Sequence, residues 1–107
     1  LAPDEKLILN KYAEVLISTN IDKNIKKAIK ILNKSIKHSP DNIQAYRQLS
    51  IAYYKDNNIG LAELYSAYVE LFYGNEKQAK IFAARAKSKL KNTSANWMLA
   101  DDIETIY

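Results

Sequence analysis

A chain of 107 residues with 48% hydrophobic and 26% charged side chains has the make-up of one globular domain, and neither disorder nor a membrane span is suggested. Its net charge is +4; the lack of cysteine excludes disulfides, thiolate catalysis and cysteine-bound zinc, and two glycines and two prolines leave little of the turn chemistry that β architectures need. Apolar runs such as Leu7-Ile8-Leu9 are a few residues long, against the ~20 a spanning helix requires.

Six helical segments are expected. Asp4 caps a first helix to about Ser18, with Leu7, Leu9, Tyr12, Val15 and Leu16 spaced three and four apart on its apolar side. Asn20 to Asp22 interrupts it, and Asp22 caps a second helix to about Lys37, with a stripe of Ile25, Ala28, Ile29, Leu32, Ser35 and Ile36. Ser39-Pro40-Asp41-Asn42 ends that helix and opens a third over about 42–55, because Pro40 disfavours helix at Ser39 and Asp41 accepts from free amides. Asp56-Asn57-Asn58 turns the chain into a fourth helix, about 59–73, closed by Gly74. Asn75 caps a fifth to about Leu90, and Ser94 caps a sixth from about Ala95 to Ile106. Loops this short force consecutive helices antiparallel, which gives hairpins over about 4–38, 42–73 and 76–106 of a single domain, 1–107.

Shifting the sequence by 34 residues superposes Tyr12 on Tyr46, Ile17 on Ile51, Asp22 on Asp56, Asn24 on Asn58, Ile25 on Ile59 and Ala28 on Ala62. That is the tetratricopeptide period, and Tyr46, Leu49, Tyr53, Ala62, Ala28 and Pro40 match the residue types that this packing asks for. Alanine on the second helix of a unit lets the first approach, and aromatic rings fill the wedge beside it. The expected fold is therefore all-α, a tetratricopeptide-type solenoid of about six antiparallel helices, with Ala28 and Ala62 in equivalent tight contacts. Leu16 and Ser50 stand where small residues are expected, which suits an atypical first unit. Ala79 follows Ala62 by only 17 residues, so the fourth helix is expected to serve both neighbours, with Trp97 and Met98 a lid on the stack. Tyr12, Tyr46, Tyr53 and Trp97 are expected in the core or between helices.

No catalytic constellation emerges. His38, Ser39 and Asp41 sit in one helix-ending turn, where they do not reach the geometry of nucleophile, base and orienter. Asp101 and Asp102 are adjacent, so they point to different sides of a helix, and no histidine supports a metal there. Lys23, Lys27, Lys30, Lys34 and Lys37 form one stripe of the second helix, which reads as a solvated convex face, with anionic lipid head groups or another anionic surface as the alternative. Without arginine or interleaved aromatics the stripe does not suit nucleic acid, and no nucleic-acid partner is expected. Projected onto the inner face of a stack, Gln44, Arg47, Ile51, Tyr54 and Lys55 of the third helix meet Gln78, Ile81, Arg85 and Lys89 of the fifth. Basic heads, amide donors and an aromatic wall suit an extended peptide carrying carboxylates.

The ordered runs Ala62-Glu63-Leu64-Tyr65-Ser66-Ala67-Tyr68, Tyr73-Gly74-Asn75-Glu76-Lys77-Gln78-Ala79, Ala84-Arg85-Ala86-Lys87, Ser94-Ala95-Asn96-Trp97 and Ala100-Asp101-Asp102-Ile103 carry a narrower resemblance. Over about residues 40–103 the chain resembles the tetratricopeptide domain that follows the catalytic domain in bacterial zinc-dependent metallopeptidases of the His-Glu-x-x-His class, which act in outer-membrane protein quality control. The resemblance implies a periplasmic parent enzyme whose tetratricopeptide part positions substrate or docks on its own protease domain and the outer-membrane assembly machinery. The zinc motif would lie upstream of Leu1, so this stretch carries no metal ligand, cofactor or catalytic residue of its own. Leu1 is not a methionine and no signal region follows it, so the chain is expected to be a piece of a longer protein. A freestanding cytoplasmic or periplasmic tetratricopeptide adaptor is the alternative, and a basic helical nucleic-acid binder the third reading.

Overall fold

The structure, a computed structural model, describes residues 3–106, and its helices follow one another as α1 (Pro3–Ser18), α2 (Asp22–His38), α3 (Ile43–Lys55), α4 (Ile59–Phe72), α5 (Glu76–Lys89) and α6 (Ala95–Ile106). No strand occurs among the described residues. Four of the five turns between helices place one residue in the left-handed region: Asn20 at φ 56°, Asn57 at 58°, Gly74 at 77° and Thr93 at 63°. Asparagine tolerates this conformation and glycine adopts it without cost, whereas β-branched Thr93 is strained there.

One of the expected caps, Ser94, forms where the sequence places it, and the other described ones do not. The Trp97 amide donates to Ser94 Oγ at 3.2 Å, as expected. At α3 the cap is Asn42 rather than Asp41: its Oδ1 accepts from the Ala45 amide at 3.3 Å. Asp22 lies inside the first turn of α2, where its charge still favours the helix dipole, while Thr19 Oγ1 accepts the Ile21 amide at 3.3 Å. Asn75 stands at the head of α5 but turns its side-chain amide to Glu70 at 2.9 Å and caps nothing. The Asp4 side chain lies outside the described residues.

Helix α1 corrects the expected apolar stripe. Leu7 and Val15 are exposed, as is Tyr12, and the buried face is Asn10, Ala13, Leu16 and Ile17. Spacing alone counted the apolar residues of this helix, whereas the face that α2 and α3 cover holds an alanine and an asparagine and leaves larger side chains outside.

Helices pack in chain order, each on the next, with two further contacts, α1 on α3 and α4 on α6. No Cα of α1, α2 or α3 lies within 8 Å of one in α5 or α6. The radius of gyration, 13.5 Å, is near the roughly 13 Å of a compact chain of this length. Buried side chains form two cores. One gathers Ala13, Leu16 and Ile17 of α1, Ile25, Ala28 and Leu32 of α2, Ala45, Leu49, Ala52 and Tyr53 of α3 and Ala62 of α4. The other gathers Leu64 and Ala67 of α4, Ala79, Ala83 and Ala86 of α5, and Ala100 and Ile103 of α6. Alanine at 0% exposure recurs in both, so backbones approach closely and little volume is left to fill. Helix α4 does serve both neighbours. In α6 the inward residues are Ala100 and Ile103, and Met98, expected in the lid, is exposed.

Candidate functional site

A cleft of about 150 Å³ opens between α3 and α5 with α4 as its floor, lined by Arg47, Ser50 and Ile51, by Ser66, Val69 and Glu70, and by Phe82. It is small beside the roughly 300 Å³ or more of a drug-sized ligand site and suits one inserted side chain.

Its openness follows from which face of α3 is left uncovered. Asn10, Ala13 and Ile17 of α1 are buried on the side facing α3. Their counterparts 34 residues on are Gln44, Arg47 and Ile51, and all three are exposed. No Cα of α5 comes within 8 Å of α3, so the contact that α1 makes on α3 is not repeated one step along. The stacking face of α3 is left uncovered, and its side chains are larger and more polar than those of α1.

Charge in and around the cleft is held in place from within. The Arg47 guanidinium donates to the Tyr73 hydroxyl and lies over its ring, 5.6 Å from the centroid. Glu70 accepts from Asn75 at 2.9 Å. Beneath the rim, Ser50 and Ser66 each sit within bonding distance of the Ala62 carbonyl, at 2.9 and 3.0 Å, and 2.6 Å from each other. Two hydroxyl protons serve three contacts, so one serine donates to the carbonyl and the other to its neighbour.

Glu63 is the sharpest polar feature. It points from the apolar helix α4 toward α5, its side chain 4% exposed, paired with Lys89 Nζ and 3.9 Å from Arg85 Nη1. A carboxylate so buried requires such partners. Arg85 also lies over the Phe82 ring, 5.5 Å from its centroid, which places its head beside the cleft.

The expected groove residues therefore divide. Arg47 and Ile51 line the cleft and Arg85 flanks it. Lys89 is committed to Glu63. Lys55 turns away to the end of α1, donating to the Asn20 side chain at 2.7 Å and the Ile17 carbonyl at 3.3 Å, so it closes a helix and does not face a ligand. Gln44 and Tyr54 are exposed on α3 outside the lining. Gln78 and Ile81 border a separate depression at the α4–α5 turn with Gly74 and Asn75. Ser50, Ser66, Val69, Glu70 and Phe82 were not foreseen. Helix α4 reads as mostly apolar, and the signal in it was Glu63, an acid answered by Arg85 and Lys89, four residues apart on the next helix.

The opposite face of the α3–α4 hairpin holds an aromatic cluster. Tyr46 meets Tyr65, Tyr68 and Phe72 at centroid distances of 5.9, 5.7 and 5.1 Å, and Tyr65 stacks on Tyr53 at 5.6 Å. Burial raises the pKa of the Tyr46, Tyr65 and Tyr68 phenols above the ordinary value. In α6, Asp101 and Glu104 hold Lys87 at 2.7 and 2.8 Å, which raises its pKa, and Lys87 lies 4.8 Å over the Trp97 ring. His38 is exposed at the end of α2. Among the described residues no group of acidic or histidine side chains is placed to hold a metal ion, and no helix is long and apolar enough to cross a membrane.

Comparison with protein-family models, with curated proteins and with solved structures finds no match to this chain.

Proposed function

We propose that the chain is a tetratricopeptide-type scaffold that binds an extended protein segment across the α3–α4–α5 cleft and performs no chemistry of its own. What supports this is the contrast between the buried Asn10, Ala13 and Ile17 of α1 and the exposed Gln44, Arg47 and Ile51 at the same positions of α3. A face built to stack is left free beside two arginines and an aromatic ring. The burial of Ala28 and Ala62, both at 0% in one core, fits a ladder of helix pairs. A segment lying there would place an apolar side chain between Ile51, Val69 and Phe82 and a carboxylate on Arg47 or Arg85. In a bacterial zinc peptidase of the periplasm, the parent suggested by the sequence resemblance, such a segment would belong to a substrate, to the enzyme's own protease domain or to an outer-membrane assembly partner.

Peptide arrays of acidic and apolar segments test this. Binding is expected to weaken about tenfold or more with Arg47→Glu, since a charge-assisted bond contributes ~1.5–3 kcal/mol, and again with Ile51→Asp. Peptides that bind equally well to the Arg47→Glu, Arg85→Glu double variant would move the site elsewhere.

A further inference from the structure

The net charge of the chain is not spread over it. Residues 3–38 hold eight lysines against four carboxylates, and the remainder holds eight cations against eight carboxylates, so the whole +4 belongs to α1 and α2. In the C-terminal part the cations are largely engaged: Lys55, Lys87, Lys89, Arg47 and Arg85 all have partners within the protein. On α2, Lys26 is paired with Asp56 at 2.8 Å. Lys23, Lys27, Lys30, Lys34 and Lys37 are exposed, and among the described residues none forms an ion pair.

Beside this row lies apolar surface. Ile8, Tyr12 and Val15 recur at four and three residues on α1, at 66%, 42% and 53% exposure. Tyr12 joins the two features, with Lys27 Nζ 5.5 Å from its ring centroid. Further along the same pair of helices a cleft of about 290 Å³ has Leu9 and Ile31 in its wall and Lys34 and His38 at its edge. A free lysine row alone would accept any polyanion. Lysines adjoining uncovered aliphatic side chains and an apolar cleft match a ligand whose anionic groups sit next to hydrocarbon.

We propose that the α1–α2 face docks on the surface of an anionic lipid bilayer, with the five lysines at the head groups and Ile8, Tyr12 and Val15 entering the acyl boundary. The chain would lie on the membrane and not span it. This face is separate from the α3–α4–α5 cleft, so the peptide-binding proposal stands or falls independently.

Flotation of the chain with vesicles of phosphatidylglycerol and phosphatidylcholine, against phosphatidylcholine alone, tests it. Binding is expected to the anionic vesicles only and to weaken with salt. Each lysine near the surface is worth about fivefold, so Lys27→Gln, Lys30→Gln and Lys34→Gln together are expected to lower affinity about a hundredfold. The discriminating variant is Ile8→Ser with Val15→Ser, which leaves every charge in place and is expected to cost about tenfold or more on vesicles. All five positions are exposed, and circular dichroism of each variant checks that the helices persist. No binding to anionic vesicles, or binding that the lysine variant leaves unchanged, overturns the proposal. Binding that the Ile8→Ser, Val15→Ser variant retains in full, with duplex DNA competing the chain off the vesicles, overturns it in favour of nucleic acid.

Discussion

Asn10 and Asn42 exchange a reciprocal pair of amide hydrogen bonds, each 3.0 Å long, that fastens α1 to the head of α3. Both are buried, and Asn42 Oδ1 also caps α3 through the Ala45 amide, while Gln48 donates to the Asn10 carbonyl at 3.0 Å. Removing either side chain strands the other in a dry contact. Asn10→Ala is expected to destabilise the chain by about 1–3 kcal/mol. Asn42→Ala is expected to lose about 1 kcal/mol more, because the cap goes with it. Urea unfolding measures both, and the double variant should fall short of the sum. An Asn10→Ala change that costs no more than a surface substitution would show that the pair contributes nothing.

Glu63 and Lys89 give a test of opposite sense. Replacing Lys89 by methionine leaves a buried carboxylate facing Arg85 alone at 3.9 Å, and a cost of about 1–3 kcal/mol is expected, because the lysine itself is 43% exposed and partly screened. Glu63→Met removes the buried charge together with its desolvation and is expected to cost less than Lys89→Met. The reverse order in denaturant melts would mean that the ion pair is a net source of stability.

Alkaline pH bears on the aromatic cluster. Burial raises the pKa of the Tyr65, Tyr68 and Tyr46 phenols, so the folded chain keeps protons that the unfolded chain loses near pH 10. The native state then binds more protons than the unfolded one, and stability is expected to be unaffected below about pH 9 and to fall above about pH 10. Tyr65→Phe should flatten that fall while giving up the bond from its hydroxyl to Asn33 Oδ1, 3.3 Å long. Thermal melts from neutral to alkaline pH, with phenolate absorbance followed alongside, check it; equal alkaline slopes for both proteins would remove Tyr65 as the cause.

Thr93 holds φ at 63° in the α5–α6 turn, a conformation costly for a β-branched residue. Thr93→Gly is expected to raise stability by about 0.5–1 kcal/mol, the relief of strain outweighing the greater freedom of glycine in the unfolded chain. A lowered melting temperature would count against strain at this position.

Helix number, order and bounds were legible in the sequence because polar breaks and 3.6-residue periodicity are local properties. Ala28, Ala62 and Tyr53 were also legible as buried positions, since small and aromatic residues at fixed offsets report close helix approach. Faces were less so. Leu7 and Val15 look like core and are exposed, because which side of α1 is covered depends on α2 and α3 and not on α1's own pattern. In the cleft, Arg47 and Ile51 were found by projecting a repeat, while Lys55 was misplaced because its long side chain reaches back to cap α1. Ser50, Ser66 and Phe82 escaped because α5 makes no contact on α3 like that of α1, and a missing contact has no signature within a single helix.

Helix α4 is, among the described residues, the one element with side chains in both buried clusters, Ala62 in the first and Leu64 and Ala67 in the second. Partial unfolding therefore has a natural seam: α5 and α6 can come away together while α1 to α4 stay assembled, so amide exchange should be slowest along α4 and faster in α6. A binding partner that bridges α3 and α5 would close that seam, and its grip would register as slower exchange in a helix it never touches.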